Sequence, residues 1–217
     1  MLFDTVAAAL DWLGVIVFAI SGALVASRKQ MDMVGFALLG TVTGIGGGSL
    51  RDLLLGLSPV FWVRDPAYLV VCVLASSAVF LTAHIPQSRY RLLLWFDALG
   101  LALFAVTGAE RALLAGSGPV VAVAMGVITA SFGGIIRDVL GGESPVVLSR
   151  EIYVTAALVG ASIFVVLSTL GLGREIALDT GLVAGFVVRG IALSRGWSLP
   201  RYQERQGRSP DEIKRAD

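Results

Sequence analysis

The chain has 217 residues, 56% hydrophobic and only 15% charged, with a mean hydropathy of +0.82. Soluble domains run at about 45–50% apolar and about 25% charged, so a water-soluble globular fold and a disordered chain are poor candidates. The 17 Lys+Arg against 16 Asp+Glu leave a net charge of +1, which offers no field for nucleic acid, and one cysteine (Cys72) with one histidine (His84) leaves no intrachain disulfide and little for a conventional metal site.

Seven apolar runs follow in chain order, at about residues 5–27, 33–57, 66–83, 92–114, 119–140, 151–170 and 175–193. A membrane helix takes about 20 residues, and runs that are continuous rather than alternating argue against an outer-membrane barrel. The expected fold is therefore an all-α polytopic membrane protein. No Lys or Arg precedes the first run, so it reads as a retained membrane helix rather than a cleavable signal. From residue 198 the composition turns to Arg, Gln, Glu, Ser and Asp, a solvated tail. Basic residues concentrate at Arg28, Lys29, Arg89, Arg91, Arg150 and the tail, against Arg64, Arg111 and Arg174 in the alternate loops. By the positive-inside rule this predicts an external N-terminus and a cytoplasmic C-terminus.

The chain repeats itself. The stretch from Asp11 to Ala23 matches Asp97 to Ala109, sharing Asp, Gly, Phe-Ala and Gly-Ala at an offset of 86 positions. The same offset carries Gly47, Gly48, Arg51 and Asp52 onto Gly133, Gly134, Arg137 and Asp138. It continues with Gly56, Ser58, Pro59 and Val60 onto Gly142, Ser144, Pro145 and Val146, then Arg64-Asp65 onto Arg150-Glu151. Each copy holds three runs, an odd number, so the second copy enters the membrane from the opposite side. Inverted repeats of this kind recur in transport proteins, with the pathway at the repeat interface. The expected layout is an inverted 3+3 repeat plus one extra helix. Residues 1–90 form the first repeat, 91–173 the second, 174–197 the seventh helix and 198–217 the polar tail.

The second run holds Gly46, Gly47 and Gly48 in succession, and the fifth holds Gly133 and Gly134. Each glycine costs a helix about 1 kcal/mol relative to alanine, and loosened backbone at membrane depth is tolerated only inside protein or beside water. Kinked or unwound helices at these two places are expected, and pseudo-symmetric breaks point to a permeation site. Close helix packing through small residues is the competing reading. The repeat favours the break, because it sets glycines beside charges twice.

Those charges are Arg51-Asp52 and Arg137-Asp138. A central charge costs about 2.5–3.5 kcal/mol on membrane insertion, so these residues must pair or line water. Neighbours on a helix point about 100° apart, which predicts pairing across the repeat: Arg51 with Asp138, Arg137 with Asp52. A structural bridge that fixes register is as compatible with this pattern as a role in the pathway. Thr43, Ser49, Thr129 and Ser131 supply hydroxyls beside the glycines. Asp97 suits a helix-capping carboxylate and Asp11 suits it less well; Ser21 and Thr107 suit narrow polar helix contacts or a hydrated path. Asp179 and Arg189 are expected to hold the seventh helix in place. Glu110-Arg111 replaces Leu24-Val25 of the first copy and is expected at an interface. His84 reads as a helix-end residue and Cys72 as a small apolar one. The sequence shows no catalytic triad, no metal-ligand spacing and no phosphate loop, since Gly46-Gly47-Gly48-Ser49 lacks the following Lys; an enzyme is not expected.

With its glycine-rich segment ahead of Arg51-Asp52, its second copy ending Arg137-Asp138 and its 3+3+1 layout, the chain resembles the prokaryotic trimeric intracellular cation (TRIC) channels from about Asp11 to Leu193. The resemblance implies a homotrimer in the prokaryotic cell membrane with a pore in each protomer, formed by the second and fifth helices and passing monovalent cations, chiefly K⁺. It implies no cofactor beyond permeant K⁺ or Na⁺, and membrane lipid as the surroundings. Animal members carry a lipid-binding Lys-Glu-Val after their second-helix glycines; Ser49-Leu50-Arg51-Asp52 stands here instead.

Two functions fit the residues. One is a passive cation channel, with Thr43, Ser49, Thr129, Ser131 and backbone carbonyls facing a narrow watery path, Asp52 and Asp138 neutralising the two arginines, and bending at Gly46–Gly48 and Gly133–Gly134 as the gate. The other is a secondary transporter of a small zwitterion such as glycine, a function that has been described for some related bacterial sequences. A structural membrane scaffold fits the doubled charged segments least.

Overall fold

The computed structural model describes residues 2–85, 88–148 and 152–200, with side chains from residue 6 onward. Eight α-helices account for most of it: α1 Leu2–Arg28, α2 Met33–Leu54, α3 Phe61–Arg64, α4 Ala67–Thr82, α5 Arg89–Leu114, α6 Pro119–Leu140, α7 Val154–Thr169 and α8 Arg174–Arg195. A 3₁₀ turn, Val146–Leu148, stands between α6 and α7. Each of the seven apolar runs holds one α-helix of 16 residues or more. The short α3 and the 3₁₀ turn are additions in stretches that read as loop or as a run's edge.

Local chemistry sets several of the ends. Asp32 opens α2 by accepting from the Gly35 backbone N–H at 2.8 Å, and Ser88 opens α5 by accepting from that of Arg91 at 3.2 Å. Pro119 occupies the first turn of α6, where its missing N–H costs nothing. Gly196, at φ +66°, closes α8 in the left-handed conformation.

Five helices (α1, α2, α5, α6 and α8) are long and apolar enough to cross a membrane. The remaining apolar helices, α4 and α7, have 16 residues each. Each is led into by a short helical turn, α3 or Val146–Leu148, placed after the charged end of α2 or α6.

The duplication appears as matched packing. α1 lies against α2 and α4 as α5 lies against α6 and α7, while α1 meets α5 and α2 meets α6 across the centre. α8 packs on α7 and α5 and has no counterpart. Phe18 and Phe104 are repeat equivalents and stack on each other at 5.2 Å. A Cβ on Gly14 would sit 2.6 Å from the Phe104 ring, and one on Gly100 would sit 3.2 Å from the Phe18 ring. Such reciprocity, residue i on j′ and j on i′, is what a two-fold relation between equivalent surfaces produces.

Contacts also fix where the two charged motifs lie along α1. Arg51 reaches Asp11, and Arg137 reaches Ser21. Ten residues separate those partners, roughly 15 Å at about 1.5 Å per residue. The copies therefore occupy opposite halves of the bundle. At the end carrying Arg137, Arg28 and Lys29 pair with Glu143 at 3.1 and 3.5 Å.

The equal offset of 86 does not persist. Phe61 and Val146 play the same part, as do Tyr68 and Tyr153 (both below), and these pairs are 85 apart. The connection from Asp138 to Val146 is one residue shorter than that from Asp52 to Phe61. Arg150 and the tail beyond residue 200 lie outside the described residues.

Candidate functional site

Small residues build the centre first. α2 and α6 cross where Gly47 meets Thr129 and Gly133 meets Thr43: a Cβ on Gly47 would stand 2.1 Å from the Thr129 carbonyl oxygen, and one on Gly133 2.5 Å from that of Thr43. Only glycine permits this backbone-to-backbone approach. The expectation of unwound helices is corrected here. Both α2 and α6 run as continuous α-helix through their glycines, and the absent side chains serve the crossing. Gly48 receives the Phe61 ring and Gly134 the Tyr153 hydroxyl, while Gly46 faces the flexible end of Ile136.

The four candidate hydroxyls bond back to their own helices. Thr43 donates to the Leu39 carbonyl at 2.6 Å, Ser49 to Ile45 at 2.8 Å, Thr129 to Met125 at 2.6 Å and Ser131 to Val127 at 2.8 Å. Thr43, Thr129 and Ser131 are buried; Ser49, half-buried, also accepts from the Trp62 indole N–H at 2.8 Å.

The charges do not cross-pair as expected. Arg51 Nε and Nη2 both reach Asp52 Oδ1 at 2.8 Å, and Arg137 Nε and Nη2 reach Asp138 Oδ1 at 2.9 and 2.8 Å. The 100° separation describes where side chains leave the helix. A guanidinium on a three-carbon stem is long enough to bend back to its neighbour. Each aspartate is held by its other oxygen, Asp52 Oδ2 accepting from the Phe61 N–H at 2.8 Å and Asp138 Oδ2 from that of Val146 at 2.9 Å. The turn after each motif thus locks its carboxylate.

A second carboxylate completes each set. Arg137 Nη1 meets Asp97 Oδ1 at 2.5 Å and donates to the Ser21 hydroxyl at 3.1 Å, with the Tyr153 hydroxyl 3.5 Å from Asp97. Asp97 lies inside α5 and almost wholly buried, so it is no helix cap; Ser88 holds that position. In the other copy Arg51 Nη1 lies 3.8 Å from Asp11 Oδ1, and Tyr68 donates to Asp11 Oδ2 at 3.0 Å. Tyr68 also stacks on Trp12 at 3.8 Å.

The two sets differ in access. Arg137, Asp97 and Tyr153 are at most 2% exposed. Asp11 keeps 19% of its side chain exposed and lines a cavity of about 150 Å³ with Arg51, Tyr68, Thr107, Glu110, Arg111 and Arg174. Asp52, Arg64 and Arg111 line a second hollow beside it. Glu110, at the expected interface, pairs with Arg174 and so ties α5 to α8. Arg189 anchors α8 as expected, donating to the Ile152 carbonyl at 3.3 Å and standing over the Tyr153 ring at 5.2 Å. Asp179 does not share that role: it lies on the exposed face of α8.

Tyr68, Tyr153 and the backbone N–H groups of Phe61 and Val146 are site members that the sequence reading missed. The tyrosines were detectable as a repeat pair only after allowing the one-residue slip. Among the described residues no group of His, Cys, Asp and Glu could hold a metal ion.

With this geometry in hand, comparison with known proteins is decisive. The chain aligns at 62% identity with a crystal structure of the TRIC trimeric intracellular cation channel orthologue from Rhodobacter sphaeroides, covering 89% of this chain and 100% of that one, with a TM-score of 0.87. The chain belongs to the prokaryotic TRIC family. A prokaryotic TRIC channel crystallised in 0.5 M KCl is 32% identical, over 90% of this chain and all of that one, at a TM-score of 0.84. The UPF0126 inner membrane protein YadS of Escherichia coli K12 is 42% identical over 89% of this chain and 94% of its own length. The family model described as Glycine transporter matches this TRIC-family chain at residues 8–84 and 94–169, one block in each repeat.

Proposed function

We propose that the protein is a passive monovalent cation channel, passing K⁺, that works as a homotrimer in a prokaryotic cell membrane with a pore in each protomer. The observation that carries this reading is the 62% identity and 0.87 TM-score to a protein described as a trimeric cation channel. In this reading α4 and α7 join the five longer helices as spans, the repeats are inverted in the bilayer, and the N-terminus is external.

The route runs among α1, α2, α5 and α6, along the line of buried polar groups that leads from Asp11, Arg51 and Thr107 past Thr43 and Thr129 to Ser21, Asp97 and Arg137. Arginines beside a cation path need compensation. Each guanidinium has two carboxylates, Asp11 and Asp52 for Arg51, Asp97 and Asp138 for Arg137, so each set carries one formal negative charge. Thr43, Ser49, Thr129, Ser131 and carbonyls near Gly46–Gly48 and Gly133–Gly134 supply oxygen dipoles in place of hydration. The tight crossing of α2 and α6 is the closed form, and bending at these glycines widens it.

A second reading, uptake of a small zwitterion such as glycine, is favoured by the description of the matching family model and by a cavity that presents both guanidinium and carboxylate. Flux from proteoliposomes separates the two. A channel releases trapped K⁺ without glycine and without saturation; glycine uptake that saturates and depends on an ion gradient, with no K⁺ leak, would overturn the channel.

A further inference from the structure

The departures from the repeat gather at one end of the bundle. Ser21 accepts from Arg137 at 3.1 Å, whereas the Oγ1 of its repeat equivalent Thr107, a residue only 4% exposed, has no hydrogen-bond partner. Where the first copy has the buried Leu24 and Val25, the second has Glu110 and Arg111. Val25 packs on the end of α6, so that a Cβ on Gly141 would stand 2.7 Å from it. Arg111 is exposed instead, and it lines both the cavity of about 150 Å³ and the neighbouring hollow of about 140 Å³. The three arginines of the alternate loops meet here from distant parts of the chain. Arg64 and Arg111 line the hollow, and Arg111 and Arg174 line the cavity.

Arg174 is paired with Glu110, but Arg64 and Arg111 have no carboxylate partner among the described residues. Arg64 donates to the Pro59 carbonyl at 3.5 Å, and Asp65 beside it turns away to accept from the Ala67 N–H at 3.1 Å. The carboxylates lining the two spaces are already taken. Asp11 holds Arg51 and the Tyr68 hydroxyl, Asp52 holds Arg51 and the Phe61 N–H, and Glu110 holds Arg174. Four guanidiniums thus face three carboxylates, an excess of one positive charge. We propose that the hollow between Arg64 and Arg111 is an oxyanion site that takes a phosphate group. Two guanidinium forks match phosphate oxygens in geometry and charge, and both oxygens of Asp52, the one carboxylate in that hollow, are engaged elsewhere. Free phosphate and a phospholipid headgroup share this chemistry. An apolar groove of about 220 Å³ lined by Leu113, Phe164 and Leu172 adjoins at Leu114, which also borders the hollow, and gives an acyl chain a place. On the channel reading, a seated oxyanion cancels the excess positive charge at this mouth and favours cation entry.

That consequence rests on the channel reading; the site does not, and its test uses no ion flux. The full chain in a neutral detergent is titrated in two arms at fixed ionic strength. One follows the ³¹P line width of inorganic phosphate, and the other follows phosphatidylglycerol retained per protomer by native mass spectrometry. Arg111→Gln and Arg64→Gln should each weaken the binding seen about tenfold, equivalent to about 1.4 kcal/mol. Arg91→Gln, also exposed but at the other end of α5, should leave it unchanged. Both target arginines are exposed, so either variant serves if the other misfolds. Arginine-dependent binding in the first arm supports the site with free phosphate as its ligand, and in the second with a lipid headgroup. No binding in either arm would overturn the site. Binding that both target variants leave at wild-type strength, or that Arg91→Gln weakens as much, would overturn it too. Arginine-dependent binding in a protein that passes no cation current would keep the site and reject the channel.

Discussion

Gly47 and Thr129 touch backbone to backbone, so that a Cβ on Gly47 would come 2.1 Å from the Thr129 carbonyl oxygen. No rotamer change relieves that clash, because the obstacle is main chain. Gly47→Ala should therefore lower the thermal midpoint of the detergent-solubilised protein by the equivalent of about 1–3 kcal/mol or more. Gly46→Ala should cost distinctly less, since its Cβ would meet only the movable Ile136 Cδ1 at 2.7 Å. Equal losses in thermal unfolding would contradict the crossing as described.

Arg137 and Arg28 both form ion pairs but in different surroundings. Arg137 is fully buried between Asp97 and Asp138, whereas Arg28 and Glu143 keep 29% and 24% of their side chains exposed. Arg137→Gln strands two buried carboxylates and should cost about 3–5 kcal/mol. Arg28→Gln should cost about 0–1 kcal/mol. Thermal unfolding of the two variants side by side checks the ordering.

Much of this was legible in the sequence, and the failures have specific causes. Composition gave the helical membrane class, and the 86-residue self-match located both charged motifs and the glycines beside them. Helix propensity alone makes the glycines look like breaks, because it counts what a glycine costs its own helix and omits the neighbour that needs the space; here that neighbour is the Thr129 or Thr43 carbonyl. The arginines were assigned to distant partners by Cβ direction, which ignores the reach of a flexible stem back to Asp52 or Asp138. Asp97 suits a cap when the apolar run alone, from residue 92, marks the helix, but the polar first turn from Arg89 places it inside α5. The tyrosines at 68 and 153 went unmatched because the repeat slips by one residue after α6. The asymmetry between the Ser21 and Thr107 environments has its counterpart in Glu110-Arg111, which stand where the first copy has Leu24-Val25 and line the cavity with Thr107.

Arg174 and Glu110 form the link between α8 and α5 that the repeat does not supply. Arg174→Gln leaves Glu110, 5% exposed, without that guanidinium and should lower the thermal midpoint. Adding Glu110→Gln should recover most of the loss, since removing both charges spares the buried carboxylate its desolvation. A double variant as unstable as the sum of the single ones would show that the two residues act independently.

Asp52 carries charge and structure through different oxygens, Oδ1 toward Arg51 and Oδ2 toward the Phe61 N–H. Asp52→Asn removes the charge while its remaining oxygen can keep the backbone contact. The set at Arg51 then loses its formal excess of negative charge, and cation conductance in planar bilayers should fall. Unchanged conductance and selectivity would remove Asp52 from the path.

The most direct measurement is single-channel recording of the purified protein in a planar bilayer with asymmetric KCl. The expected result is discrete, ohmic unitary currents that reverse near the K⁺ equilibrium potential. Silence in KCl, from a preparation that takes up glycine saturably against a gradient when reconstituted, would contradict the cation channel.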